Sequence, residues 1–325
     1  MTATRALMKN DKGRVRGNAV RWGVAATAAV LPALACAAGT PDSPVSWWVW
    51  PLALLLVCFV LGMIAVPAGI GGGVLFVPIV SGFFPFHLDF VRGAGLLVAL
   101  ASALAAGPGL LRAGLSDLRL ALPLALLASA GAIGGALVGL ALPASIVETA
   151  LGITILCIAV VMWRAKKSEY PEVPRPDSLG AALRICGVFH DAATRRDVAW
   201  QVHRTPIGVA AFAGIGMLAG IFGLGAGWAN VPVLNLVMGV PLKVSAGTSA
   251  LILSVADSAA AWIYINKGAL LAIIAVPSVI GMMLGAFIGA RLLRVLNASV
   301  IRRLVVALLL LAGARALAKG MGWWS

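Results

Sequence analysis

Charge is scarce in this chain. Only 11% of its 325 residues are Asp, Glu, Lys or Arg, against 61% hydrophobic residues and a mean hydropathy of +1.02. Soluble globular domains carry about a quarter charged residues, so a soluble fold is excluded for most of the length. Acids are scarcer still, 11 against 25 Lys and Arg, which leaves a net charge of +14. The basic residues are scattered at the ends of apolar stretches with no stripe and no interleaved aromatics, so no nucleic-acid partner is expected. The four cysteines, Cys36, Cys58, Cys157 and Cys186, show no Cys-x-x-Cys spacing, which argues against a disulfide framework or a zinc site. The three histidines, His87, His190 and His203, share no ligand spacing, and no metal or other cofactor is expected. His-Glu-x-x-His, Gly-x-Ser-x-Gly, a Walker A lysine motif and paired carboxylates within one span are all missing. No catalytic residue is therefore assigned, and the chain is not expected to be an enzyme.

What is present is apolar length. Stretches at 22–40, 47–67, 93–111, 120–142, 145–163, 206–222, 244–265, 269–290 and 300–318 are mostly near the roughly 20 residues that a membrane-spanning helix needs. The fold class is an all-α polytopic membrane protein. Residues 1–46 form an extension whose basic start, apolar run and small residues around Cys36 fit either an extra helix or a signal peptide. Trp47, Trp48 and Trp50 precede a span, and Trp323 and Trp324 close the chain, as aromatic belts do at headgroup depth. Residues 164–206 are the only extended hydrophilic stretch, a cytoplasmic linker with a short amphipathic helix at about 179–188 and no folded domain.

The chain also repeats itself. Residues 58–167 recur at 212–321 with a constant offset of 154. Gly69-Ile-Gly-Gly-Gly-Val-Leu-Phe-Val-Pro78 lies over Gly223-Leu-Gly-Ala-Gly-Trp-Ala-Asn-Val-Pro232, and Gly62/Gly216, Gly93/Gly247, Gly114/Gly268 and Pro123/Pro277 keep the register. Two transmembrane repeats follow, 47–163 and 207–325, joined by the linker. If both glycine segments cross the membrane and the start of the chain is inside, all of the 25 Lys and Arg except Arg92, Lys267, Arg315 and Lys319 lie on the cytoplasmic side. Re-entrant glycine segments would split them almost evenly, so the crossing arrangement is the one expected. It gives five crossings per repeat and hence an inverted pair, with broken glycine-rich helices at the centre.

A helix broken in the bilayer exposes backbone groups that lipid cannot satisfy, so the breaks should face the protein's centre. Gly69, Gly71, Gly72 and Gly73 allow close backbone approach, Pro78 removes a donor, and Gly223, Gly225, Gly227 and Pro232 repeat the arrangement. Helices starting just after these glycines would present free N–H groups and positive dipole ends, a substrate-binding site for an anion. Gly131, Gly135, Gly285 and Gly289 form two Gly-x-x-x-Gly pairs in ordinary spans and read as helix packing instead. Asn230 is either a ligand donor or a helix-to-helix hydrogen bond. Thr248 and Ser249, placed at the start of a span, are caps or ligand donors. Asp257 lies mid-span, where a carboxylate is costly; it marks ion coupling, or pairs with Lys243 or Lys267, or carries a proton. Arg92 pairs with Asp89 or contacts ligand, and Glu148 should stay wet at a span end.

The paired Gly-x-Gly-Gly-Gly-x-x-x-x-Pro and Gly-x-Gly-Ala-Gly-x-x-x-x-Pro segments, with Gly247-Thr248-Ser249 after the second, resemble the TauE/SafE family of sulfite and organosulfonate exporters over 58–318. The resemblance implies an anion permease moving sulfite, thiosulfate or an organosulfonate. Ala94, Gly95 and Phe76 stand where the second repeat has Thr248, Ser249 and Asn230, so the second half should hold more of the ligand. The expectation is a secondary transporter of the inner, cytoplasmic membrane, exporting a small anionic substrate by alternating access. Its partners would be that anion and membrane lipid, with a homodimer as the assembly to test. A membrane scaffold docking a soluble partner through 164–206 is the alternative.

Overall fold

The computed structural model describes residues 48–68, 71–112, 114–164, 171, 173, 177–191, 196–292 and 298–321. The extension 1–46, Gly69, Trp47, Trp323 and Trp324 lie outside these residues. Five helices build the first repeat: α1 (Val49–Ala68), α2 (Gly73–Phe83), α3 (Leu88–Arg112), α4 (Leu118–Ala141) and α5 (Ala144–Arg164). The linker contributes α6 (Ser178–Ala182) and strands β1 (Cys186–Asp191) and β2 (Arg196–Gln201). The second repeat holds α7 (Thr205–Phe222), α8 (Gly227–Pro232) running into a π-helical segment (Val233–Val237), then α9 (Leu242–Asn266), α10 (Ala272–Leu292) and α11 (Ala298–Gly320). Among the described residues, six helices are long and apolar enough to cross a membrane, namely α3, α4, α5, α7, α9 and α10, while Val49–Ala65 of α1 and the whole of α2 are shorter apolar segments. This is a membrane protein with multiple helical spans.

Local chemistry places the ends. Asp89 in the first turn of α3 and Arg112 in its last complement the helix dipole. The Asp117 carboxylate accepts the Leu120 amide at 2.8 Å and so caps α4. Trp50 stacks edge-on against Phe84 and Phe86, which anchors the start of α1 to the end of α2.

The repeats clasp each other by exchange. Helix α1 packs on α10 and α7 on α4; α3 lies against α9 and α10, α9 against α3 and α4, and α5 against α11. At the offset of 154, α1 corresponds to α7 and α10 to α4. The α1–α10 contact therefore has the α7–α4 contact as its counterpart with the repeats swapped. Small residues make both possible. A Cβ at Gly131 or Gly135 would strike the backbone of Ala213 or Met217, and one at Gly285 or Gly289 would strike that of Phe59 or Met63. These two Gly-x-x-x-Gly pairs serve helix packing.

The linker departs from expectation. In place of a helix over 179–188, α6 stops at Ala182 and β1 pairs antiparallel with β2, from Cys186 opposite Gln201 to Asp191 opposite Arg196. Ile185 and Phe189 are buried while Val188 between them is 66% exposed, a period of two that suits a strand. With Trp200 and Val202 they join the core formed by Leu120 and Leu124 of α4, Phe212 of α7, and Met238 and Val240. Asp177 fastens the linker to α7 by accepting the Thr205 amide at 2.9 Å and its hydroxyl at 2.8 Å.

Candidate functional site

The chain leaves α1 at Ala68 and starts α2 at Gly73; it leaves α7 at Phe222 and starts α8 at Gly227. Gly223 and Gly225 hold φ of +67° and +68°, a left-handed backbone that side-chain-bearing residues rarely adopt. Both breaks come to one place. A Cβ on Gly227 would stand 2.8 Å from the Gly71 amide nitrogen, and one on Gly73 would stand 2.9 Å from the Gly95 carbonyl oxygen. Two helix starts from different repeats thus meet, and neither has a side-chain cap. From there α2 runs to Phe83, whose ring lies 4.1 Å from the Arg315 guanidinium, whereas α8 and its π segment run to Met238, whose carbonyl accepts the His203 amide at 3.1 Å. The positive dipole ends therefore converge at the junction, while the amides of Val74, Leu75, Phe76, Ala229 and Asn230 already donate to carbonyls of the two breaks.

The polar side chains near the junction are few and buried. Asn230, in the first turn of α8, is fully buried, and neither its amide oxygen nor its nitrogen has a partner in the protein. Asp257 of α9 is also fully buried with both carboxylate oxygens unpartnered, and a Cβ on Gly225 would stand 3.0 Å from its Oδ2. Leu253 stands one turn before Asp257, and its Cδ1 would lie 3.9 Å from a Cβ added to Gly71 and 3.2 Å from one added to Gly227. Lys243 and Lys267 stand at the two ends of α9. Among the described residues, no group of three or more His, Cys, Asp or Glu forms a metal site.

A family model described as sulfite exporter TauE/SafE matches residues 54–316. The chain belongs to the TauE/SafE family. It is thus a membrane protein of a sulfur-anion exporter family, and the match takes in both glycine breaks. Searches of curated proteins and of solved structures returned no match.

Several residues of this TauE/SafE chain sit differently from the sequence expectation. Thr248 and Ser249 lie in the second turn of α9, which begins at Leu242 behind Pro241, so they do not cap it. The Thr248 hydroxyl accepts the Asp117 amide at 3.2 Å and ties α9 to the turn before α4, and Ser249 is buried. Pro78 is buried inside α2, and Pro232 is the last residue before the π segment; both act by removing a backbone donor. Arg92 is buried at 1% exposure, paired with Asp89, and donates to the carbonyls of Gly139 and Ile221 at 3.1 and 2.9 Å. It holds the C-terminal ends of α4 and α7 together. Glu148 is not wet: its side chain is 12% exposed and pairs with Lys319 at 2.9 Å because α5 and α11 lie side by side.

Sequence reading missed Ser102. Its hydroxyl accepts the Gly72 amide at 3.1 Å and donates to the Ala99 carbonyl at 2.8 Å, which satisfies one donor of the first break. A signal existed: Ser102 is the lone hydroxyl of α3 and adjoins Ala103, the repeat partner of Asp257.

Proposed function

We propose that this protein carries a small sulfur oxyanion, namely sulfite, thiosulfate or a short organosulfonate, across the cytoplasmic membrane by alternating access. Export is its direction when the anion is more concentrated inside. The observation that carries the reading is the meeting of two helix starts, Gly71–Gly73 and Gly225–Gly227, in a buried place where the Asn230 amide has no partner. An oxyanion accepts several backbone N–H groups at once, and the absence of a fixed cation in that cradle favours release after transport. Alternating access is supported by the swapped helix contacts, by the two half-helices that run from one junction toward different ends, and by the distribution of Lys and Arg. These features suit an inverted pair rocking about a central site. Lipid surrounds the spans, and a homodimer is the assembly to examine.

A scaffold docking through the linker is less favoured, because Phe189, Trp200 and Val202 are already packed against the membrane helices. The test uses purified protein. Thermal stabilisation is expected with one or more of sulfite, thiosulfate and methanesulfonate, worth about 2.7 kcal/mol at 100 times Kd, and not with chloride at equal ionic strength. In Gly225→Val the positive φ and the Ala99 methyl 2.6 Å from the added Cβ leave no room. That variant should reach the membrane and lose anion flux in proteoliposomes. Undiminished flux would sink the site assignment, and a scaffold would be indifferent to the change.

A further inference from the structure

Backbone donors alone suffice to cradle an anion, which leaves the Asp257 carboxylate without an explanation. We infer that Asp257 binds a monovalent cation, a proton or a sodium ion, that crosses together with the anion; this rests on the transport reading above. The carboxylate is fully buried, both its oxygens lack a partner, and it faces Gly225 in the unwound stretch between α7 and α8. Irregular backbone of this kind supplies carbonyl ligands to cations in transporters. Among the described residues, no charged side chain pairs with Asp257. Among the elements packed against α9, α7, α8 and the π segment carry no titratable side chain. On α3, Arg92 is engaged by Asp89 and by carbonyls, and Tyr264 of α9 itself donates to the Gly220 carbonyl. Arg112, Asp117, Arg119, Lys243 and Lys267 all stand at helix ends.

An isolated carboxylate in a low-dielectric interior is costly, so once the loaded site excludes water a cation from solution must neutralise it. The anion site lies about one helical turn away, since a Cβ added to Gly71 or Gly227 would stand 3.9 or 3.2 Å from Leu253 Cδ1. Two negative charges at that separation repel strongly away from water. The anion therefore binds once Asp257 is neutral, and by linkage the bound anion raises the affinity for the cation by the same factor. The species that reorient are the empty carrier and the carrier loaded with both. Anion and cation move in one direction, and because Ala103 replaces Asp257 in the first repeat, one cation accompanies each anion at this locus.

The experiment uses the full chain in proteoliposomes with radiolabelled thiosulfate or methanesulfonate, neither of which takes up a proton near neutral pH. Initial uptake is expected to rise roughly tenfold when an inward proton gradient or an inward sodium gradient is imposed, within the range usual for coupled sites. A response to the first identifies the cation as a proton, and a response to the second as sodium. In Asp257→Asn, neutral at every pH, whatever flux remains should be indifferent to both gradients, and a response equal to wild type would overturn the assignment to Asp257. Wild-type flux that ignores both gradients overturns the inference and leaves the anion site standing. No flux with any sulfur oxyanion removes both. Should the variant fail to reach the membrane, the wild-type gradients decide alone.

Discussion

Arg92 shows how a buried charge can be architectural. Its guanidinium spans Asp89, the Gly139 carbonyl at the end of α4 and the Ile221 carbonyl at the end of α7, with the Tyr264 ring 5.8 Å away. One side chain thus ties both repeats at one end of the bundle. Replacing it by Met leaves the Gly139 carbonyl without its donor and the Ile221 carbonyl with only the 3.4 Å contact from the Tyr264 hydroxyl, at about 1–3 kcal/mol each. We expect Arg92→Met to lower thermal stability in detergent by about 3 kcal/mol or more, while the folded fraction still binds anion. A loss of binding at full stability would instead make Arg92 a ligand contact. Asp257 is its opposite, equally buried but without partners, and unpartnered groups are where a ligand must enter the account. Sequence alone could not separate the two. Each could pair with a neighbouring charge or serve a ligand, and only the fold reveals that Arg92 is paired and Asp257 is not.

At the scale of elements, the helices were legible because hydropathy and the offset of 154 agree, and the broken segments were legible because glycine and proline recur at the same register. The hairpin was not. The strands Cys186–Asp191 and Arg196–Gln201 are short, and their alternation is visible only as Ile185–Phe189 and Trp200–Val202. Thr248 misled for a related reason, because a hydroxyl after glycine resembles a cap and its true partner, the Asp117 amide, is distant in sequence. The hairpin packs its Trp200 ring, 8% exposed, beside the exit of the second half-helix. Trp200→Ala should cost about 3–5 kcal/mol if that packing is intact in the membrane. The check is a lower unfolding temperature together with faster proteolytic cleavage near residues 192–195, and unchanged values would mean the hairpin is only loosely attached.

For the whole molecule, orientation is the property that ties charge to mechanism. Cys186 is exposed on the linker, Cys58 is buried, and Cys157 lies within α5. A membrane-impermeant maleimide should label Cys186 in inside-out vesicles and spare it in intact cells. The reverse pattern would invert the orientation derived from Lys and Arg. The two half-helices also differ. Both contain eleven residues, yet Gly73–Phe83 is α-helical throughout, while the second changes to a π segment at Val233. A π turn is wider, so side chains beyond Pro232 are rotated relative to those beyond Pro78. The hairpin weighs on one half-helix and has no counterpart on the other among the described residues. In the language of circuits, such a carrier is a rectifier: reversing an equal gradient restores the same equilibrium, but the current in the two directions need not match.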